Sequence, residues 1–290
     1  MYSLDRPPLG IYEKALPPVD SWHERLTLAS EGGFDFLEIS IDETDDRLAR
    51  LTWSDTERAE FLKAIANTGV RVPSMCLSGH RRFPLGSQDR KTRTRGLEIM
   101  KQAIEFSVDL GIRNVQLAGY DVYYEVGSAS TRRTFVESLK QAVRWASKAE
   151  VMLSIEIMDH PYMNSISKFL ELCEQVSSPW LTVYPDAGNL SAWGNNIERE
   201  LTLGIEKVSA IHLKDTKAVT GIFGGQFKKV PFGEGCVDFV EFFRILKSLD
   251  YAGPFLIEMW TENSERPMED VKAARQWILN KMLEGGYELC

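Results

Sequence analysis

Four stretches decide how this chain folds: LSIEIMD at Leu153–Asp159, LTVYPDAGN at Leu181–Asn189, VSAIHLKD at Val208–Asp215 and PFLIEMW at Pro254–Trp260. Each is a short apolar run that ends on a carboxylate or an imidazole, namely Glu156, Asp186, His212 and Glu258. Each recurs after a gap long enough to hold a helix. As parallel strands of one closed sheet they would bring all four side chains to the same strand ends. Three carboxylates and a neutral imidazole converging there make a divalent-metal site by charge and ligand type, suited to Mn2+, Mg2+ or Zn2+. An isolated buried carboxylate is costly unless a cation compensates it. Any one of the four could instead cap a helix or pair with an arginine, so the reading rests on the set.

Working outward, the same β-then-α rhythm fills the chain. Pro8–Glu13 reads as a first strand. A helix starts at Ser21, with Trp22, Leu26 and Ala29 at helical spacing and Gly32-Gly33 as its stop. Phe34–Ile41 (FDFLEISI) is a second strand, and its alternation of apolar and acidic residues suggests one buried face. Ser54 and Glu57 form a capping box, and Gly69 ends that helix. Strands follow at Val70–Leu77, Ile112–Leu117 and Val151–Ile157, with helices over Arg90–Leu110 and Thr131–Glu150 between them. After Ser165–Val176 and Asn196–Gly204, both helical, Lys214–Gly235 reads as a long loop. Helices over Phe239–Leu249 and Met268–Leu283 flank the last strand, Phe255–Met259. About eight such units predict an α/β fold, a (β/α)8 TIM barrel spanning 1–290 as a single domain. An open doubly wound sheet would carry a glycine-rich phosphate loop after an early strand, but the first strand here runs into KALPPVD.

Composition narrows the function. With 290 residues, 43% hydrophobic and 26% charged, the chain is ordinary globular protein. A formal net charge of −8 argues against a nucleic-acid partner. Cys76, Cys173, Cys236 and Cys290 form no C-x-x-C pair and read as reduced packing residues, with Cys290 a free tail thiol. MYSLDRPPLGIYEKALP lacks a signal peptide's apolar core, and no stretch approaches a membrane span. These features predict a soluble cytoplasmic protein with no membrane partner.

Longer motifs carry a resemblance: PLGIYEKALP, VRVPSMCLSGHRRFPLGS, QLAGYDVYY, EIMDHPYMNSISK, YPDAGNLSAW, HLKDT, VPFGEGCVDF and LIEMW. With these the chain resembles the sugar-phosphate 3-epimerases of the xylose-isomerase-like barrel superfamily. Within that group it is most similar to the L-ribulose-5-phosphate or L-xylulose-5-phosphate 3-epimerases of the L-ascorbate and L-xylulose pathways. The resemblance implies one divalent cation on Glu156, Asp186, His212 and Glu258, with Glu156 and Glu258 doubling as the acid/base pair. It also implies a homodimer. The expected substrate is a 2-ketose 5-phosphate, whose C3 proton is acidic because the C2 carbonyl takes up charge as an enediolate, which the metal stabilises. Inversion at C3 then needs a base on one face and an acid on the other.

The phosphate needs cations or backbone donors. Ser78, His80, Arg81 and Arg82, in the loop after the third strand, are the first candidates. Lys214 is another, with an ion pair to Asp215 as its alternative; Lys228 and Lys229 rank lower as solvated lysines. Tyr120, Tyr123 and Tyr124 follow the fourth strand and could line a sugar pocket. Asn189 could donate to a substrate hydroxyl or serve only as a turn residue. Trp193 and Trp260 read as wall residues, and Phe232–Gly235 (FGEG) as a lid segment. Competing readings are a 3-epimerase or aldose–ketose isomerase of free sugars, a metal-dependent AP endonuclease, and a barrel that only binds. The SGHRR loop favours a phosphorylated substrate, the net charge disfavours DNA, and a mere binder would not require both Glu156 and Glu258.

Overall fold

A computed structural model describes residues 6–289, so the expected tail thiol Cys290 lies outside the described residues. The strands are β1 (Leu9–Tyr12), β2 (Phe36–Ile41), β3 (Arg71–Leu77), β4 (Asn114–Ala118), β5 (Met152–Glu156), β6 (Leu181–Tyr184), β7 (Ile211–Leu213), β8 (Asp215–Lys217), β9 (Gln226–Val230) and β10 (Phe255–Ile257). Eight of them form one sheet in the order β6-β5-β4-β3-β2-β1-β10-β7. Every pairing in it is parallel. Parallel bridges Val183–Val208 and Asp186–His212 join β7 back to β6 and close the ring. The expected eight-stranded barrel is therefore present, with β10 in its eighth position.

The helices are α1 (Trp22–Glu31), α2 (Asp45–Ala49), α3 (Asp55–Thr68), α4 (Arg90–Leu110), α5 (Ala129–Lys148), α6 (Ile166–Gln175), α7 (Ala187–Ala192), α8 (Ile197–Gly204), α9 (Phe239–Ser248) and α10 (Pro267–Glu284). Local chemistry sets their ends. Ser21 with Glu24 and Ser54 with Glu57 form reciprocal capping boxes at the starts of α1 and α3. Gly69 and Gly111 end α3 and α4 in left-handed conformations.

Two expectations change. The segment Lys214–Gly235 is not all loop: β8 and β9 pair antiparallel within it. Its strands, DTK and QFKKV, lie outside the barrel and are mostly polar, so they carry no run of apolar residues that would flag them. The second strand does not have one buried face, because all six residues of β2 are buried. Leu37, Ile39 and Ile41 join the main core. On the opposite, barrel-facing side, Phe36 packs with Tyr12, Cys76 and Leu256, and Glu38 is inaccessible to solvent. Gly10 makes room for Phe36: a Cβ there would sit 2.3 Å from the ring.

The barrel interior is layered by polarity. On one level Ser154 Oγ meets Asn114 Oδ1 at 2.5 Å, Thr182 Oγ1 at 2.6 Å and Ser209 Oγ at 2.8 Å. Two residues further along β5 lies Glu156. The strand period of two therefore carries this polar column up to the C-terminal mouth, where barrel enzymes place their chemistry.

The ends of β1 and β2 are fastened by a buried ion cluster. Glu13, inaccessible to solvent, lies 2.5 Å from Arg47 Nη1, 2.8 Å from Arg50 Nη1 and 3.5 Å from Arg25 Nη1. It also accepts the Ser40 N–H at 2.8 Å. Burial alone would raise the Glu13 pKa, but the charge and hydrogen bond of Arg50, with Arg47 and Arg25, outweigh it and hold the carboxyl below its ordinary value. A depressed carboxyl stabilises the fold above the ordinary glutamate range, and that contribution is lost as pH falls through the lowered pKa. Glu13→Gln should cost on the order of 2 kcal/mol at neutral pH, because the guanidiniums keep partial access to water. Urea unfolding from pH 7 downward checks this: the gap to wild type should be largest at pH 7 and shrink as the pH falls through the lowered pKa.

Candidate metal centre

Four strand ends deliver the cluster. Glu156 is the last residue of β5. The chain continues past β6 through Pro185 to Asp186, which caps α7 by accepting the Asn189 N–H on Oδ1 at 2.7 Å. His212 is central in β7. Glu258 directly follows β10 and donates its N–H to Leu213 O at 2.9 Å. One ligand atom from each of the four lies within 4.8 Å of the others, and all four residues are buried.

Second contacts orient the set. His212 Nδ1 lies 2.9 Å from Glu156 Oε1 and 3.9 Å from oxygens of Asp186 and Glu258. Its Nε2 lies 3.0 Å from Glu38 Oε1, and Tyr184 OH donates to Glu38 Oε2 at 3.1 Å. Gln116 Nε2 donates to Glu156 Oε2. Lys214 Nζ donates to Glu258 Oε2 at 2.9 Å and lies 3.1 Å from Asp186 Oδ2. That last approach lacks hydrogen-bond geometry, so Asp186 Oδ2 stays buried without a hydrogen bond, as do Gln116 Oε1 and Asn189 Oδ1.

The electrostatics follow from crowding. Burial alone would lower the His212 pKa, but the charge of Glu38, with hydrogen bonds to Glu156 and Glu38, outweighs it and holds the imidazole well above its usual value. Burial, only partly offset by Lys214, raises Asp186 to about 7, with Glu258 and Glu156 adding to the rise. Burial would also raise Glu258, but Lys214 and then His212 overcome it and pull the carboxyl down to about 2. Burial works against the Lys214 charge, yet Asp186 and Glu258 hold its pKa above the ordinary value. Within the metal-free site, two nitrogen cations therefore share the compensation of four buried acids.

The phosphate candidates from Ser78 to Arg82 divide. They form a 3-10 turn over Ser78–Arg81. Ser78 is buried. His80 is buried too, with Nε2 3.1 Å from Gly96 O, and burial lowers its pKa to about 4. Arg82 is exposed, pairs with Asp45 Oδ1 at 2.7 Å and reaches Glu43 O. Neither His80 nor Arg82 can serve the barrel mouth without giving up these contacts. Arg81 turns the other way, over the rings of Tyr120 at 5.9 Å and Tyr123 at 5.3 Å. Its Nε is buried without a hydrogen bond, and among the described residues it has no ion pair.

Of the remaining candidates, Tyr120 is buried and donates its hydroxyl to Asp159 Oδ1. Asn189 is committed on one side, donating Nδ2 to Ile157 O at 2.8 Å. Lys214 pairs with Glu258 and Asp186 rather than with Asp215. Asp215 instead accepts the N–H groups of Gly233 and Gly235 at 2.9 Å and of Val237 at 3.3 Å. The FGEG segment is thereby pinned, and a Cβ on Gly235 would fall 2.0 Å from Asp215 Oδ1. Lys228, ranked low from sequence, holds its ammonium 5.5 Å from the Trp260 ring centroid. A cavity of about 560 Å³ opens beside Glu258 and Lys214, walled in part by Phe232, Trp260 and Trp277.

A profile for the xylose isomerase-like TIM barrel matches residues 26–281. The chain belongs to the xylose isomerase-like TIM barrel family. Among curated members of this group, it is 57% identical to SgbU of Haemophilus influenzae over 278 residues, covering 96% of this chain and 97% of that one. It is 56% identical over 279 residues to the L-ribulose-5-phosphate 3-epimerase UlaE of Salmonella heidelberg, covering 96% of each. Among solved structures, an L-ribulose 3-epimerase superposes with a TM-score of 0.77 at 19% identity, covering 96% of this chain and 95% of that one. At that identity the likeness concerns the fold alone.

The residues fit one divalent cation. The set offers carboxylate oxygens and an imidazole, the ligand types such ions take, and one buried oxygen of Asp186 lacks a hydrogen bond. Glu38, Gln116 and Tyr184 escaped the sequence reading. The available signal was the parity of β2, since Phe36, Glu38 and Ser40 share one face of the strand. Among the described residues, no helix is long and apolar enough to cross a membrane.

Metal removal tests the centre. Stripped protein should take up one Mn2+ per chain, and at about 100-fold excess over Kd its Tm should rise by roughly 5 °C. Asp186→Asn should abolish that rise; a shift of wild-type size in this variant would place the ion elsewhere.

Proposed function

We propose that the chain is an isomerase, a metal-dependent 3-epimerase interconverting L-xylulose 5-phosphate and L-ribulose 5-phosphate. The observation that carries this reading is the pair Glu156 and Glu258. Their carboxylates converge within one cluster, yet they come from barrel strands three positions apart. A ketose lying across the mouth would thus meet one carboxylate on each side of C3. The 56% identity to an L-ribulose-5-phosphate 3-epimerase over nearly the whole chain supports the same reaction class.

Glu156, Asp186, His212 and Glu258 would hold the cation. When bound, it acts as a Lewis acid toward the ketose oxygens and supplies several kcal/mol of charge stabilisation. The protein's own groups do the proton work. One glutamate, as carboxylate, takes the C3 proton, and the C2 carbonyl takes up the electrons as an enediolate. The other, as carboxylic acid, returns a proton to the opposite face. The roles exchange with reaction direction. General acid–base participation of this kind typically contributes about 10²- to 10⁴-fold. Lys214, hydrogen-bonded to Glu258, steadies the ionised form of that residue, while Gln116 orients Glu156.

For the phosphate, the reading assigns Arg81 and Lys228, two cations with no ion pair among the described residues. Both face rings that hold them above the mouth, Tyr120 and Tyr123 for Arg81 and Trp260 for Lys228. The free Asn189 Oδ1 is assigned to a sugar hydroxyl. On the resemblance seen in the sequence, the chain works as one domain, as a homodimer, in the cytoplasm, on a route degrading L-ascorbate.

Glu156→Gln and Glu258→Gln should each abolish solvent-deuterium incorporation at C3 of the pentulose phosphate, followed by proton NMR, with the fold retained. Exchange at the wild-type rate in either variant removes that residue from the acid/base pair. Arg81→Ala should raise KM at least tenfold for the phosphorylated sugar and barely change it for the free ketose. Equal effects on both substrates would place the phosphate elsewhere.

A further inference from the structure

We infer that Glu38, held by Tyr184, is a positioning residue for the metal centre: it fixes the His212 ring so that Nδ1, and not Nε2, is the nitrogen offered to the ion. The inference rests on the four-ligand reading of the site and adds a residue that lies outside that set. Glu38 stands on β2, three barrel strands from β5 by way of β3 and β4 and three from β7 by way of β1 and β10. It crosses the barrel interior to reach a ring on β7. Nothing about its position on β2 requires a carboxylate there: its neighbours on the same face are Phe36 and Ser40.

The two ring nitrogens of His212 face different partners. Glu38 Oε1 is 3.0 Å from His212 Nε2, and both side chains are wholly inaccessible to solvent. Nδ1 meets Glu156 in the same way, but Glu156 is one of the four ligands and Glu38 is not; with an ion held on Nδ1, Nε2–H to Glu38 would be the ring hydrogen bond that remains. Tyr184 OH occupies the second oxygen of Glu38 at 3.1 Å, and the Tyr184 ring lies 4.5 Å from the imidazole centroid to centroid. The carboxylate is therefore held at one oxygen and the ring is braced on its side. Nδ1 is left facing Glu156 at 2.9 Å and Asp186 and Glu258 at 3.9 Å. A histidine ligand whose second nitrogen donates to a carboxylate is fixed in tautomer and more basic toward a metal. The residues to which Glu38 is bonded are thus a metal ligand and its brace, and it touches neither Asp186 nor Glu258 through any hydrogen bond of the described residues.

The test uses the full-length protein, stripped of metal and titrated with Mn2+ by calorimetry. Wild type sets the reference. Glu38→Gln keeps an acceptor for Nε2–H but not the charge, and its Mn2+ dissociation constant should rise about tenfold. Glu38→Ala should weaken binding by about 10- to 100-fold, the range that loss of such a partner produces. Tyr184→Phe should fall between wild type and Glu38→Ala. If Glu38→Ala does not fold, Glu38→Gln and Tyr184→Phe carry the comparison. A second readout separates positioning from general stability. In Zn2+-loaded wild type, the His212 Nε2–H should appear as a slowly exchanging ring proton by NMR. It should remain in Glu38→Gln and vanish in Glu38→Ala. Mn2+ affinities equal to wild type in the Glu38 variants, or an Nε2–H unchanged in Glu38→Ala, would overturn the inference while leaving the four-ligand site standing. Failure of wild type itself to bind Mn2+ would overturn the site and the inference together.

Discussion

Charge compensation in the barrel mouth is the constraint on which the structure depends. Glu38, Glu156, Asp186 and Glu258 are all buried around one imidazole. Desolvating acids this close together is prohibitively costly unless positive charge is placed among them. His212 and Lys214 supply part of it, which is why burial fails to neutralise Glu258 and instead leaves it at about 2. Asp186 shows the remaining deficit, raised to about 7 by burial and by neighbouring carboxylates despite Lys214. A divalent cation would answer that deficit, and its oxygen ligands are already in place.

The barrel makes such a concentration of charge possible. Eight parallel strands point alternate residues inward, so a polar column rises from Ser154 and Thr182 to Glu156 and Tyr184 without breaking any strand. The apolar residues needed for stability, such as Leu37, Ile39 and Ile41, are sent to the opposite face against the helices. Around the rim, Glu13 ties the ends of β1 and β2 through its arginines. Asp215 pins the segment through Val237 by backbone hydrogen bonds. The mouth is thus bounded by fastened segments, which suits a site whose ligands must stay in register.

What the sequence disclosed follows from which signals are local. Glu156, Asp186, His212 and Glu258 stand out because each interrupts an apolar run at a strand end, and the β–α rhythm places those ends together. Glu38 sits inside an alternating strand, where Glu38 and Ser40 between Leu37, Ile39 and Ile41 look like an ordinary water-facing side; only closure of the barrel turns that side inward. His80, Arg81 and Arg82 are adjacent in sequence, but successive residues of a 3-10 turn diverge by about 120°. One is therefore buried against Gly96, one faces Tyr120 and Tyr123, and one pairs with Asp45. Composition cannot separate them. The β8–β9 ribbon was hidden for a different reason: its strands are mostly polar, so hydrophobic periodicity, the main signal for a strand, is absent. Lys228 owes its place above Trp260 to that ribbon.

The central claim is that one ion and two opposed glutamates act on the same carbon. The most direct measurement is a crystal structure of the Mn2+-loaded Glu156→Gln protein soaked with L-ribulose 5-phosphate, with the ion located by anomalous scattering. The account predicts a single Mn2+ among residues 156, 186, 212 and 258, with the side chains at 156 and 258 on opposite faces of the sugar's C3. An ion bound elsewhere, or both side chains on one face of C3, would contradict it.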